Sequence, residues 1–269
     1  MRTPAIVVGT DGTDAGSAAV RWAAHEAERR NVPLRIIHVL DWDWAVSRYD
    51  VGGQSFQLAR QSARIVAEDA IRTALDTAPG IELQAQIAVG RPAGQLLNAA
   101  VDASRMVVGN RGRSGITGLL LGSVSRRVAA RAHCPVVVVR GRADPGTGPV
   151  AAGVDDAARA EDVLEAAFAA ADRYDTDLVV VRSYGPDQET VERHRLTELL
   201  APWRSKYPNV AVEMILSTDS TAATLTEISH GTRLVVAGCR EHAMAAGALR
   251  GTTTSQLLHH ADCPVLIVH

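Results

Sequence analysis

The chain has 269 residues, 46% hydrophobic and 22% charged, with a net charge of −2. This length fits two units of about 100–150 residues or one large α/β unit, and the apolar content supplies real cores, so whole-chain disorder is excluded. No apolar run reaches the roughly 20 residues of a membrane helix, Met1-Arg2-Thr3-Pro4 leads into a strand-like segment rather than a signal-peptide core, and the near-neutral charge draws in neither nucleic acid nor anionic lipid; a soluble cytoplasmic protein is expected.

In chain order, Ala5–Gly9 reads as a first strand, continuously apolar as in a parallel sheet covered on both faces. The loop Gly9-Thr10-Asp11-Gly12-Thr13 follows and sets a carboxylate at the strand tip. Asp11 suits a pair of ribose hydroxyls, and it equally suits a turn or a helix cap. Thr13 is placed to cap a helix whose Ala19, Trp22, Ala23 and Ala27 share one face. Strands are then expected at Leu34–Leu40, Ile81–Val89, Met106–Gly109 and Val136–Val139, and helices near 56–78, 92–103 and 123–132. The alternation β-α-β-α-β-α-β-α-β predicts a doubly wound five-stranded parallel sheet. Trp42-Asp43-Trp44, with Tyr49 and Gly52-Gly53 after it, either covers a ligand or packs over the sheet end.

Gly109 opens a second unusual loop, running to Ser125 with glycines at 109, 112, 115, 118 and 122. Glycine lets backbone N–H groups approach an anion closely, and a helix beginning after Gly122 presents unpaired N–H groups and the positive end of its dipole. Its position between strand and helix favours a phosphate site over a plain surface loop. Ser123 and Ser125 offer hydroxyl donors, and Arg111, Arg113 or Arg126 offer charge. The chain's single lysine, Lys206, has no glycine loop before it, so any nucleotide is held without a Walker A lysine.

The second half repeats the first. Ile6-Val7-Val8-Gly9-Thr10-Asp11 returns 144 residues later as Val150-Ala151-Ala152-Gly153-Val154-Asp155, and Leu34–Val39 returns as Leu178–Ser183. Later landmarks are offset by 129: Met106–Gly109 with Val235–Gly238, Gly122-Ser123 with Gly251-Thr252, and Cys134-Pro135-Val136 with Cys263-Pro264-Val265. Two tandem domains are expected, 1–141 and 150–269, joined by a Gly/Pro-rich linker at 142–149. Residues 1–144 carry 18 Arg against 13 acidic groups, and residues 145–269 carry 10 basic against 17 acidic groups, so the excess positive charge lies in the first half.

The spacing Gly109-x2-Gly112-x9-Gly122-Ser123, with Asp11 after the first strand, resembles the ATP-binding pattern of the universal stress protein family, and the likeness spans both halves. The resemblance implies two Rossmann-like domains of that family and a nucleotide-dependent regulator of stress responses. By position it implies ribose on Asp11 in the Thr10-Asp11 loop and adenine on Val39 backbone atoms. Gly109, Gly112, Gly122, Ser123, Val124 and Ser125, with Arg113, would hold the ribose and phosphates of ATP; magnesium is left open. It also implies pairing through Val136–Val139 and Val265–Val268, within the chain or in a homodimer, and a protein partner of unspecified identity. In the second half, Asp155, Gly238, Gly251 and Thr252 keep their places, but Glu241 replaces the second glycine and Ser183 replaces Val39. At ~5 Å and a dielectric near 20, Glu241 repels each phosphate charge by about 3 kcal/mol, so a weak or empty second site is expected.

Other chemistry lacks a starting residue. Cys134, Cys239 and Cys263 form no Cys-x-x-Cys, and His259-His260 are adjacent on a helix and point apart. His25-Glu26 reads as an exposed helix face without the second histidine of a zinc protease. No Gly-x-Ser-x-Gly or Gly-x-Gly-x-x-Gly occurs. The expectation is a binding protein rather than an enzyme. The alternatives are an adenylate-forming or ATP-splitting activity, in which slow hydrolysis has a place, and an interaction scaffold that binds no nucleotide.

Overall fold

Short β-branched runs alternate with alanine-rich helices, and both need two covered sheet faces to bury their apolar groups. A computed structural model describes residues 4–42, 53–112, 121–142, 146–155, 159–239 and 253–269. The chain divides into two units, 1–139 and 140–269.

In the first unit the strands are β1 (Ile6–Thr10), β2 (Leu34–Leu40), β3 (Leu83–Val89), β4 (Arg105–Gly109) and β5 (Val136–Val139). The helices are α1 (Asp14–Arg30), α2 (Gln54–Thr77), α3 (Pro92–Ala100) and α4 (Ser123–Arg131). The strands lie parallel in the order β3-β2-β1-β4-β5, with Ile6 opposite both Leu34 and Arg105. Helices α1 and α2 pack on each other and α3 packs on α4. On α2, Ala63, Ala67, Ala70 and Ala74 are buried, a small-residue face that lets a long helix lie close to the sheet.

The second unit has β6 (Val150–Gly153), β7 (Leu178–Ser183), β8 (Val212–Ser217), β9 (Leu234–Gly238) and β10 (Val265–Val268). Its parallel order, β8-β7-β6-β9-β10, is that of the first unit. Helices α5 (Ala160–Tyr174), α6 (Glu189–Lys206), α7 (Thr221–Ile228) and α8 (Thr253–His260) connect them. The doubly wound α/β architecture read from the sequence is therefore the architecture of both halves.

Local signals behave as their chemistry dictates. Thr13 caps α1 by accepting from the Gly16 N–H, and Asn31 and its counterpart Asp175 end α1 and α5 in the left-handed region. Three expectations need correction. The first strand ends on Thr10, one residue later than predicted, because His38 is still in register there. Arg142, the first residue of the expected linker, is tied down by pairing with Asp262 at 3.0 Å, and Gly141 before it, the last residue assigned to the first domain, has φ +55° with no room for a Cβ against the Asp262 backbone. Glu26, read as exposed, is 1% exposed. It accepts from Arg105 of β4 at 3.0 Å and from Arg30, because the face of α1 that covers the sheet passes over an arginine at the start of β4.

A buried pair stripped of one partner leaves an uncompensated charge at a cost of about 3–5 kcal/mol. Glu26→Ala is thus expected to lower the unfolding free energy by about 3 kcal/mol in urea titration, while Glu28→Ala, on the exposed side of α1, changes it little.

Candidate functional site

In each unit the strand order reverses beside the first strand, so the crevice at the carboxyl ends of β1 and β4, or of β6 and β9, is where a doubly wound sheet receives ligands. Asp11 follows β1 directly. Its Oδ1 accepts from the Thr13 N–H at 3.2 Å and the Thr13 hydroxyl at 2.7 Å, so the carboxylate braces its own loop. Its Oδ2 lies toward the second loop, since a Cβ on Gly112 would stand 2.8 Å from it. The two loops singled out in the sequence therefore meet at Asp11 and Gly112.

Close approach explains the other glycines. A Cβ on Gly109 would lie 2.6 Å from the Ala15 carbonyl oxygen, so β4 ends against the start of α1 where no side chain fits. Gly122 is the N-cap of α4, and its N–H donates to the Asn110 carbonyl at 2.7 Å. A glycine cap has no side chain to accept from the first-turn N–H groups of Ser123, Val124 and Ser125. Those groups and the positive helix end are of the kind that could take an anion, and they lie near the end of β4.

One expected donor is changed by the structure. Ser123 is exposed and its hydroxyl is available, but the buried Ser125 hydroxyl donates to the Gly109 carbonyl at 2.6 Å. Ser125 can thus offer a ligand only its backbone N–H. Val39 lies beyond the last β1–β2 register pair, Thr10 with His38, so the strand projects past β1 at that point. Arg111 and Arg126 are exposed. Arg113, in the first loop, and Glu241, Gly251 and Thr252, in the second, lie outside the described residues, as do Asp43, Trp44, Tyr49 and Gly52. Trp42 packs edge-on against Phe56, with ring centroids 5.1 Å apart.

Some site residues carried no motif. His38 is buried and donates from Nδ1 to the Thr10 carbonyl at 2.9 Å, which ties the last residue of β1 to β2 beside Asp11. A carbonyl only accepts, so Nδ1 bears the proton. At the equivalent position in the second unit, Arg182 donates to the Val154 carbonyl at 3.0 Å and pairs with Glu192 at 2.6 Å, which holds the Glu192 carboxyl below its usual range. Only superposing the repeats, 144 residues apart, could have flagged either side chain.

In the second unit Asp155 is differently engaged. Its Oδ1 accepts from the Ser183 N–H at 3.3 Å, from the Ser183 hydroxyl at 3.2 Å and from the Thr221 hydroxyl. Gly238 faces the Arg159 side chain where Gly109 faces Ala15. The Thr254 hydroxyl donates to the Gly238 carbonyl at 2.8 Å, repeating the Ser125 contact. The three cysteines are buried, and burial raises their thiol pKa values, that of Cys263 to about 12. Among the described residues no group of three or more His, Cys, Asp or Glu is placed to hold a metal ion, and no helix is long and apolar enough to cross a membrane.

Fold and site together define a tandem doubly wound α/β protein with a glycine-lined, helix-capped crevice. The universal stress protein family model matches residues 3–140 and 182–269, and the chain belongs to that family. A universal stress protein of Mycobacterium tuberculosis is 31% identical over 287 aligned residues, covering 97% of this chain and 95% of the relative. One from Mycolicibacterium smegmatis is 32% identical over 284, covering 98% and 96%. In structure, a universal stress protein from Archaeoglobus fulgidus superposes with a TM-score of 0.76 at 17% identity, over 98% of this chain and 97% of that one, a likeness of fold.

Ser125→Ala would leave the buried Gly109 carbonyl without its hydroxyl donor, a loss of about 1–3 kcal/mol. A lower thermal midpoint is expected, and Ser125→Thr, which imitates Thr254, should recover most of it.

Proposed function

We propose that the first unit binds ATP and that the chain acts as a nucleotide-dependent regulator in stress response rather than as a catalyst. The observation that carries this reading is the glycine-capped first turn of α4, set beside Asp11 at the switch point of the sheet. The N–H groups of Ser123, Val124 and Ser125, with the Gly109–Gly112 backbone, would take the phosphates. Asp11 would accept from the ribose hydroxyls, Val39 backbone atoms would meet the adenine edge, and Arg113 would add charge. At Gly109 and Gly112 a Cβ would collide with the Ala15 backbone and the Asp11 carboxylate, so glycine lets this loop lie close to the group that would hold the ribose. The groups named are backbone amides, one arginine and one accepting carboxylate that also braces its own loop, a set for holding rather than transforming a nucleotide. Homodimer formation or pairing through β5 and β10, and a protein partner that reads the loops, belong to the same proposal.

Isothermal titration with ATP tests it, run with and without magnesium to read the ion's part. Saturable binding is expected, and Gly112→Glu should weaken it by about 3 kcal/mol, roughly a hundredfold in Kd. Unchanged affinity would place the phosphates elsewhere. No binding by the parent chain would return the protein to a nucleotide-free scaffold, and phosphate release at catalytic rates, abolished by Asp11→Ala, would make it an enzyme.

A further inference from the structure

The second unit retains the aspartate at the tip of its first strand, yet the structure engages that carboxylate from within. Three donors converge on Asp155 Oδ1: the Ser183 N–H at 3.3 Å, the Ser183 hydroxyl at 3.2 Å and the Thr221 hydroxyl. The Ser183 N–H also donates to Thr221 Oγ1 at 3.1 Å, so Thr221 gives its proton to Asp155 and accepts one from the strand. Thr221 is 1% exposed and opens α7 behind the cap of Ser220, so its hydroxyl is held by the helix start. The result is a closed triangle between the tip of β6, the end of β7 and the first turn of α7.

We infer that this Asp155–Ser183–Thr221 clasp excludes adenosine from the second unit, with Thr221 as the residue that decides it. The inference rests on the ATP reading of the first unit. Asp155 is the group that would accept ribose hydroxyls, and the Ser183 backbone is the group that would meet the adenine edge; Oδ1 of the first and the N–H of the second are bonded to each other across the entrance they would share. A nucleoside would have to break hydrogen bonds that are already made and partly buried, and an unmade buried bond costs about as much as a new one returns.

The first unit keeps the aspartate but lacks both hydroxyls of the clasp. Val39 stands at the position of Ser183, and Pro92, first residue of α3, stands at the position of Thr221, so neither has a hydroxyl. Its Asp11 is bonded by Thr13 within its own loop, and the second unit has Ala157 in place of Thr13. Where the loop threonine is present it donates to the carboxylate, and in the second unit, where alanine replaces it, donors from β7 and α7 do so. Proline at the first position of a helix is well accommodated, so Thr221→Pro converts the second unit toward the first at little conformational cost.

The test counts ATP equivalents bound per full-length chain by calorimetry, with circular dichroism as a check on folding. The parent and Glu241→Gly are expected to bind one, and Glu241→Gly/Ser183→Val/Thr221→Pro to bind two; Thr221→Ala replaces Thr221→Pro if the latter does not fold. Two equivalents with Glu241→Gly alone, or one with the triple variant, would overturn the clasp. If the parent binds none, the ATP reading fails by itself, and the clasp is then read from hydrogen exchange at the Ser183 amide. Asp155→Ala/Thr221→Val should speed that exchange about tenfold or more while the inner β7 amides stay protected. An unchanged Ser183 rate would remove the clasp whatever ATP does.

Discussion

The geometry of the first crevice depends on one close approach, the end of β4 against the opening turn of α1. With a Cβ, Gly109 would come within 2.6 Å of a backbone oxygen, which cannot turn aside as a side chain could. From the opposite side the Ser125 hydroxyl holds the Gly109 carbonyl at 2.6 Å. These two constraints fix where the chain leaves the sheet and where α4 begins. They make the helix terminus a placed set of donors, and a placed donor reaches its acceptor without the reorganisation cost that a mobile one incurs.

The internal repeat supplies a comparison that separates support from specificity. Both units place a hydroxyl on the last carbonyl of their fourth strand, Ser125 and Thr254. Both tie the last carbonyl near the first strand's tip with a donor from the neighbouring strand, His38 and Arg182. Both end their first helix on a residue in the left-handed region. The differences Ala15 for Arg159, Val39 for Ser183 and Pro92 for Thr221 are found at element ends around the crevice, and the sequence adds Thr13 for Ala157 and Gly112 for Glu241. What the halves share holds the sheet ends in place, and on the proposed reading what they do not share alters the chemistry that faces a ligand.

Much of this was legible in the sequence because it rests on periodicity and on glycine. Continuous apolar strands, the 144- and 129-residue offsets and the Thr13 cap are local signals, and each led to the right element within a few residues. The meeting of Asp11 and Gly112 followed from topology, since both lie at the carboxyl ends of adjacent strands. What escaped were contacts between residues far apart in the chain. Glu26 looks like any surface glutamate until Arg105, 79 residues later, is brought beneath it. Thr221 is an unremarked threonine after a serine cap until the fold carries it 66 residues back to Asp155. Ser125 was recognised as a hydroxyl near the site, but whether a hydroxyl faces a ligand or a carbonyl is decided by the first turn of the helix.

On the proposed reading, attraction and grip are carried by different groups. The arginines near the crevice, Arg111, Arg126 and Arg127, are exposed and act through water, where charges are screened within about 8–10 Å at ordinary salt. They raise the local concentration of an anion and its rate of arrival. The first-turn amides of α4 lie at the end of a parallel strand and do not titrate, so their contribution is fixed by geometry. A substitution that moves α4 by a fraction of a hydrogen-bond length then costs more than the removal of one surface arginine. The fold accordingly spends two close contacts, Gly109 against Ala15 and the Ser125 hydroxyl on the Gly109 carbonyl, on the position of that helix.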